Sequence, residues 1–224
     1  MNALIPGKKR FTSKNQKGEI ILDRVAKGLD WKAKVVCERC NNTWMSKIER
    51  KHAKPSMADL ITGKLDIPIP RSRANSIALF CFKTAVVLDH LARNREPFFK
   101  RSCRHNFRTS LAIPPNVGMW MAGFGPFGKG EIHPGYFDGA ASDTLQLKTY
   151  VCTYAVGHFV FQVAGYILHG FTWITPKSRD FNDLAVPFWP TIPEGFVWPP
   201  ANVLRTVKDF DSFSMRWQTV VARS

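Results

Sequence analysis

Two cysteines three positions apart, Cys37 and Cys40, constrain this chain more than any other feature. Asn41 follows at once, and the residues after it repeat apolar side chains at helical spacing. This arrangement is typical of a zinc knuckle, in which two thiolates at a tight turn lead into a helix. A structural zinc ion needs four Cys or His ligands, and the sequence contains no second Cys-x-x-Cys pair. Two interpretations of Cys37 and Cys40 therefore stay open: they are metal ligands, or they are two thiols that bind no metal.

The residues around the two cysteines predict two strands followed by a helix. Residues 19–25 are rich in branched side chains, and residues 31–36 are the candidate antiparallel partner. The predicted helix begins at Asn41 or Asn42, whose side chains suit an N-cap, and it carries Trp44 on its apolar side. Strand, strand, knuckle and helix is the ββα order of an HNH nuclease site.

The motif Val-Val-Cys-x-x-Cys-Asn-Asn-x-Trp-Met-Ser, followed by Glu49, Lys54-Pro55 and Leu60-Ile61-x-Gly63, carries a resemblance to a known group. From Val35 to about Gly63 the chain resembles bacterial HNH-endonuclease-like proteins. The resemblance implies the following roles: zinc ligands Cys37 and Cys40, and structural knuckle residues Asn41, Asn42 and Trp44.

The same resemblance implies a treble-clef-like ββα module that hydrolyses phosphodiester bonds in DNA. A histidine before the knuckle would be the general base, and Mg²⁺ or Mn²⁺ would polarise the phosphate. In this chain the 36 residues before Cys37 contain neither Cys nor His, and Ala3 aligns with the position of that histidine. We therefore expect a truncated or degenerate HNH-like endonuclease, with no catalytic residue assigned and with the structural zinc weakened or lost.

Two other function classes stay open beside the endonuclease. One is a non-catalytic nucleic-acid-binding module of a phage or mobile element. The other is an accessory protein that acts through protein contacts of its aromatic-rich second half.

The net charge of +15 lies entirely in the half that contains the knuckle. Residues 1–108 hold 24 Lys or Arg and 9 Asp or Glu, whereas residues 109–224 hold 8 of each. Such an excess attracts polyanions, so we predict nucleic acid, DNA above all, as the partner. A solvated basic surface is the alternative. The candidate phosphate-binding residues form two clusters: Lys47, Arg50, Lys51 and Lys54, and then Lys100, Arg101, Arg104 and Arg108.

The remaining pattern predicts an α+β protein in three parts: a basic arm (1–18), the knuckle module (19–66) and an α+β C-terminal domain with antiparallel strands (71–224). Helices are expected over residues 74–95 and 98–108, and strands over 116–124, 145–154 and 158–168, the last two as a hairpin. No apolar run approaches the roughly 18 residues of a membrane span, and no signal peptide is recognisable. Five cysteines without a disulfide pattern favour a reducing, cytoplasmic location. The oligomeric state stays open.

Overall fold

A tight hairpin forms the centre of the protein. The computed structural model describes residues 8–14, 20–27, 35–90, 96–125, 130–142, 145–168 and 184–221. Strands β6 (Leu145–Val156) and β7 (Phe159–Leu168) pair antiparallel through a two-residue turn, Gly157 and His158. Gly157 has φ +59°, a conformation that favours glycine and that two-residue hairpin turns require. The predicted hairpin is confirmed.

The other strands extend this hairpin into a sheet of eight. They are β1 (Lys8–Lys14), β2 (Ile20–Lys27), β4 (Val117–Phe124), β5 (Gly130–Ser142), β8 (Val186–Trp189) and β10 (Val203–Leu204). The order is β10-β4-β7-β6-β5-β1-β2, and β8 also pairs with β4. The pairs β1–β5 and β10–β4 are parallel, whereas the others are antiparallel.

The strand before the knuckle, β2, pairs with a strand that the sequence pattern did not predict. Strand β2 pairs with β1, with Phe11 opposite Arg24, and β1 lies within the predicted basic arm. Residues 35–36 form a turn instead of a strand, and residues 31–34 of the expected partner lie outside the described part of the chain. The expected strand is therefore wrong for residues 35–36, whereas a pairing of β2 with residues 31–34 stays a prediction; β1 also joins β5. The treble-clef geometry of the module stays a prediction.

In the described part of the chain, four helices accompany the sheet. Helix α1 (38–61) follows Cys37, α2 (Arg71–Asp89) follows Pro70, α3 is Arg101–Ser110 and α4 is Val207–Val221. The helices predicted over 74–95 and 98–108 are thus confirmed with shifted ends, although residues 91–95 lie outside the described ranges. Helix α3 ends at Leu111, whose φ of +56° is left-handed and whose N–H donates to the carbonyl of Phe107.

Both faces of the central strands β4, β6 and β7 are buried, and side chains alternate between the two faces along each strand. Met119, Cys152 and Phe161 point to the face covered by α1, α2 and α3, where the larger hydrophobic cluster lies. Trp120 and its neighbours on the other face pack against α4. The sheet therefore lies between two helical layers, and the α+β class is confirmed.

A small second sheet closes the helical side. It pairs β3 (Ile67–Pro68) with β9 (Val197–Trp198). Among the described residues, no helix is long and apolar enough to span a membrane.

Candidate nucleic-acid interface

Cys37 and Cys40 lie on the first turn of α1. The backbone of Cys37 is extended (φ −68°, ψ 150°), and its Sγ accepts a hydrogen bond from the N–H of Cys40 at 3.4 Å. The N–H of Asn41 donates to the carbonyl of Cys37 at 3.0 Å. Cys37 is therefore the N-cap, and it lies four residues before Asn41 and five before Asn42, the two predicted N-cap positions.

Asn41 and Asn42 thus lie inside the helix, not at its start. Both side chains are exposed, and within the described residues neither forms a hydrogen bond. The expected N-cap role for these asparagines was wrong, because the sulfur of Cys37 already accepts from the first helical turn.

Helix α1 contains two widened turns, Asn41–Met45 and Glu49–Ala53. In the second, the N–H of Lys54 donates to the carbonyl of Glu49, five residues earlier. The following Pro55 has no N–H and its ring crowds the preceding turn, so a wider turn accommodates it without ending the helix. This explains how the Lys54-Pro55 part of the motif remains helical.

The indole of Trp44 joins α1 to α3. Its ring lies 5.9 Å from that of Phe107, edge to face at 83°. Phe107 is fully buried and also contacts Phe82 of α2 at 4.8 Å. Such aromatic pairs are worth about 0.5–1.5 kcal/mol beyond their buried area. Trp44 therefore links α1 to α3 through an aromatic contact, and its role as a structural residue of the knuckle stays a prediction.

The predicted phosphate-binding residues are almost all on the surface of these two helices. Exposed side chains are those of Lys47, Arg50, Lys51, Lys54, Lys100, Arg101 and Arg108. The exception is Arg104, which is half-buried and donates from Nη1 to the carbonyl of Phe99. Within the described part of the chain, none of the eight pairs with a carboxylate. We call the seven exposed cations the basic surface.

The positive charge of this surface reaches the knuckle. Hydrogen bonds from Cys40, first its side chain and then its backbone N–H, lower the pKa of the exposed Cys37 thiol, and the charge of Arg108 acts in the same direction. By contrast, burial raises the pKa of Cys103 on α3. Cys37 is therefore in an environment that favours a thiolate.

The described residues do not complete a tetrahedral zinc site. Among them, no group of three or more His, Cys, Asp or Glu side chains is close enough to hold a metal ion. His52 faces Ser76, with 3.4 Å between Nδ1 and Oγ, and Cys81 is fully buried. Two thiols alone do not fit structural zinc, so zinc binding by Cys37 and Cys40 stays a prediction that requires further ligands.

Two other motif residues stabilise the fold. Glu49 accepts from the ammonium group of Lys83, which is 8% exposed and lies 4.7 Å from the ring centre of Phe80. The sequence did contain a signal for this pair, since a lysine within the apolar run of α2 needs a partner once buried. Gly63 lies at the end of α1 against His158, a histidine that the sequence analysis did not single out.

Comparison of the chain with protein-family models, with curated proteins and with solved structures gives no match.

Proposed function

We propose that this protein binds nucleic acid, and DNA in particular, through the basic surface of α1 and α3. The observation that carries the proposal is the contact between Trp44 and Phe107, because it links the two helices whose exposed side chains include the two basic clusters. The fold supports this role, since Phe107 and Phe82 anchor the contact in the core.

The electrostatics of the surface suit a phosphate backbone. The seven cations of the basic surface are exposed, and none of them pairs with a carboxylate among the described residues. They therefore have no such ion pair to break before they contact a phosphate. Each phosphate neutralised releases counterions, which gives affinity that depends on salt and not on base sequence. Arg and Lys on helices are the usual donors of such contacts.

The second candidate, which we also propose, is a truncated or degenerate HNH-like endonuclease, whose hydrolysis of phosphodiester bonds we expect to be poor in this chain. The observation in its favour is the position of the Cys37–Cys40 turn at the edge of the basic surface. There the charge of Arg108 contributes to the lowered pKa of the Cys37 thiol. Hydrolysis also requires a general base and a divalent ion. His105 is an exposed histidine on α3 within this surface and is the first residue to test for that role.

Fluorescence anisotropy with labelled single-stranded and double-stranded DNA of mixed sequence, over a range of salt concentrations, tests the binding function. The variant Lys47→Ala, Arg50→Ala, Lys51→Ala should weaken binding of all sequences. It should also reduce the slope of log K against log salt concentration by about 3, one for each lost phosphate contact.

A matched control removes the same charge elsewhere. Lys148, Arg205 and Lys208 are exposed and lie outside α1 and α3, so their replacement by Ala should leave the salt slope nearly unchanged. An equal loss in both triple variants would show that net charge alone is responsible and would overturn the proposal.

A further inference from the structure

The knuckle presents two thiols on one helical turn, and the described residues supply no third metal ligand beside them. We propose that Cys37 and Cys40 form a reversible intramolecular disulfide by exchange with a low-molecular-weight disulfide. Cys37 is the attacking thiol and Cys40 the resolving one. This redox function is independent of nucleic-acid binding.

The backbone of the turn brings the two sulfurs within reach. The N–H of Cys40 donates to Sγ of Cys37 at 3.4 Å, and the N–H of Asn41 closes the turn on the carbonyl of Cys37. Side chains three apart on a helix have Cβ atoms about 5–6 Å apart, and a disulfide needs about 3.5–4.5 Å. Because Cys37 is an N-cap with extended backbone, the fixed spacing of two positions inside a helix does not apply to it, and its side chain can turn toward Cys40.

The two thiols differ in accessibility, and the difference assigns their roles. Cys37 is exposed, whereas Cys40 is half-buried. An incoming disulfide therefore reaches Cys37 first, and Cys40 is held next to the mixed disulfide that results. The other cysteines lack this arrangement: Cys81 and Cys152 are fully buried, and Cys103 is half-buried on α3 with no cysteine near it in sequence.

The exchange balances in two steps. The Cys37 thiolate attacks one sulfur of the disulfide, forms a mixed disulfide and releases one thiolate, which takes a proton from water. The Cys40 thiolate then attacks the Cys37 sulfur and displaces the second thiolate. The protein loses two electrons and two protons, and the small disulfide is reduced to two thiols.

Mass spectrometry of the full-length protein tests the proposal directly. The protein is treated with EDTA, equilibrated in mixtures of reduced and oxidised glutathione, quenched in acid, alkylated and digested with trypsin. Cleavage after Arg39 separates Cys37 from Cys40, so the disulfide appears as two linked peptides. We expect this linked pair to increase with the oxidised fraction and to disappear on reduction.

Serine variants separate the two roles, and circular dichroism checks that they fold. Cys40→Ser should accumulate the glutathione adduct on Cys37, about tenfold more than the wild type, because no resolving thiol remains. Cys37→Ser should form little adduct on Cys40. Cys103→Ser is the matched control and should retain the linked pair.

Three results would overturn the proposal. In the first, Cys37 and Cys40 stay reduced in oxidised glutathione. In the second, the wild-type protein keeps the glutathione adduct on Cys37 and never forms the disulfide with Cys40. In the third, zinc remains bound after EDTA treatment and blocks the exchange.

Discussion

The imidazole of His158 occupies the space where a side chain on Gly63 would lie. A Cβ on Gly63 would be 2.5 Å from Cδ2 of His158, and Gly63 has φ +78°. Beside this contact, the N–H of His158 donates to the carbonyl of Ile61 at 3.0 Å, which satisfies one carbonyl at the end of α1. Nδ1 of His158 bonds the carbonyl of Phe124 at 2.7 Å. The β6–β7 turn therefore anchors the helix that carries the knuckle.

Replacing Gly63 by Ala should lower the free energy of unfolding by more than the cost of a left-handed backbone alone. Gly195 is the matched control, since it has φ +69° but nothing within 4 Å of a Cβ. Both variants should lose roughly 1 kcal/mol from the left-handed backbone. Gly63→Ala should lose about 1–3 kcal/mol more through overpacking against His158. Urea unfolding of both variants measures the difference, and equal losses would contradict the contact.

Zinc should bind weakly to this chain, or only by sharing ligands between subunits. Two cysteines do not close a tetrahedral site, and the described residues bring no third ligand to them. Elemental analysis after dialysis should give clearly less than one zinc per chain. One tightly held zinc per monomer would contradict this expectation, and Cys37→Ser would then show whether the knuckle holds it.

Cleavage of DNA with Mg²⁺ or Mn²⁺ should be poor. No histidine precedes Cys37, and a general base typically contributes about a hundredfold to ten-thousandfold. Nicking of a supercoiled plasmid by the 224-residue chain is the measurement. Robust metal-dependent nicking that is lost in His105→Ala or His52→Ala would instead place the base after the knuckle.

Alkylation of Cys37 should begin at lower pH than that of Cys103. Hydrogen bonds from Cys40 and the charge of Arg108 lower the pKa of the Cys37 thiol, whereas burial raises that of Cys103. The thiolate is the reactive form, so the pH at which alkylation reaches half its maximal rate follows the pKa of each thiol. We expect this pH to be lower for Cys37 than for an ordinary cysteine, and higher for Cys103. Rates of iodoacetamide labelling by residue measure both profiles. Arg108→Ala should shift the Cys37 profile upward, and identical profiles would show that the charge has no effect.

Several elements follow from the sequence alone because their signals are local. The apolar stripe of α2, with Ile77, Cys81 and Ala85 on one side, predicts its burial, and all three are fully buried. The β6–β7 hairpin follows from two alternating runs around Gly157. The charge excess before residue 109 is a property of composition, so it needs no coordinates.

Contacts between distant residues were decided only by the tertiary structure. Strand β1 pairs with β5 more than a hundred residues later, with Phe11 opposite Gly130, and no local pattern specifies that partner. Likewise, the sequence places Trp44 in the knuckle helix and Phe107 in a separate basic helix, and only the tertiary structure shows that their rings are in contact. Periodicity tells which side of an element is buried, but the choice of neighbour depends on how all the buried faces share one core.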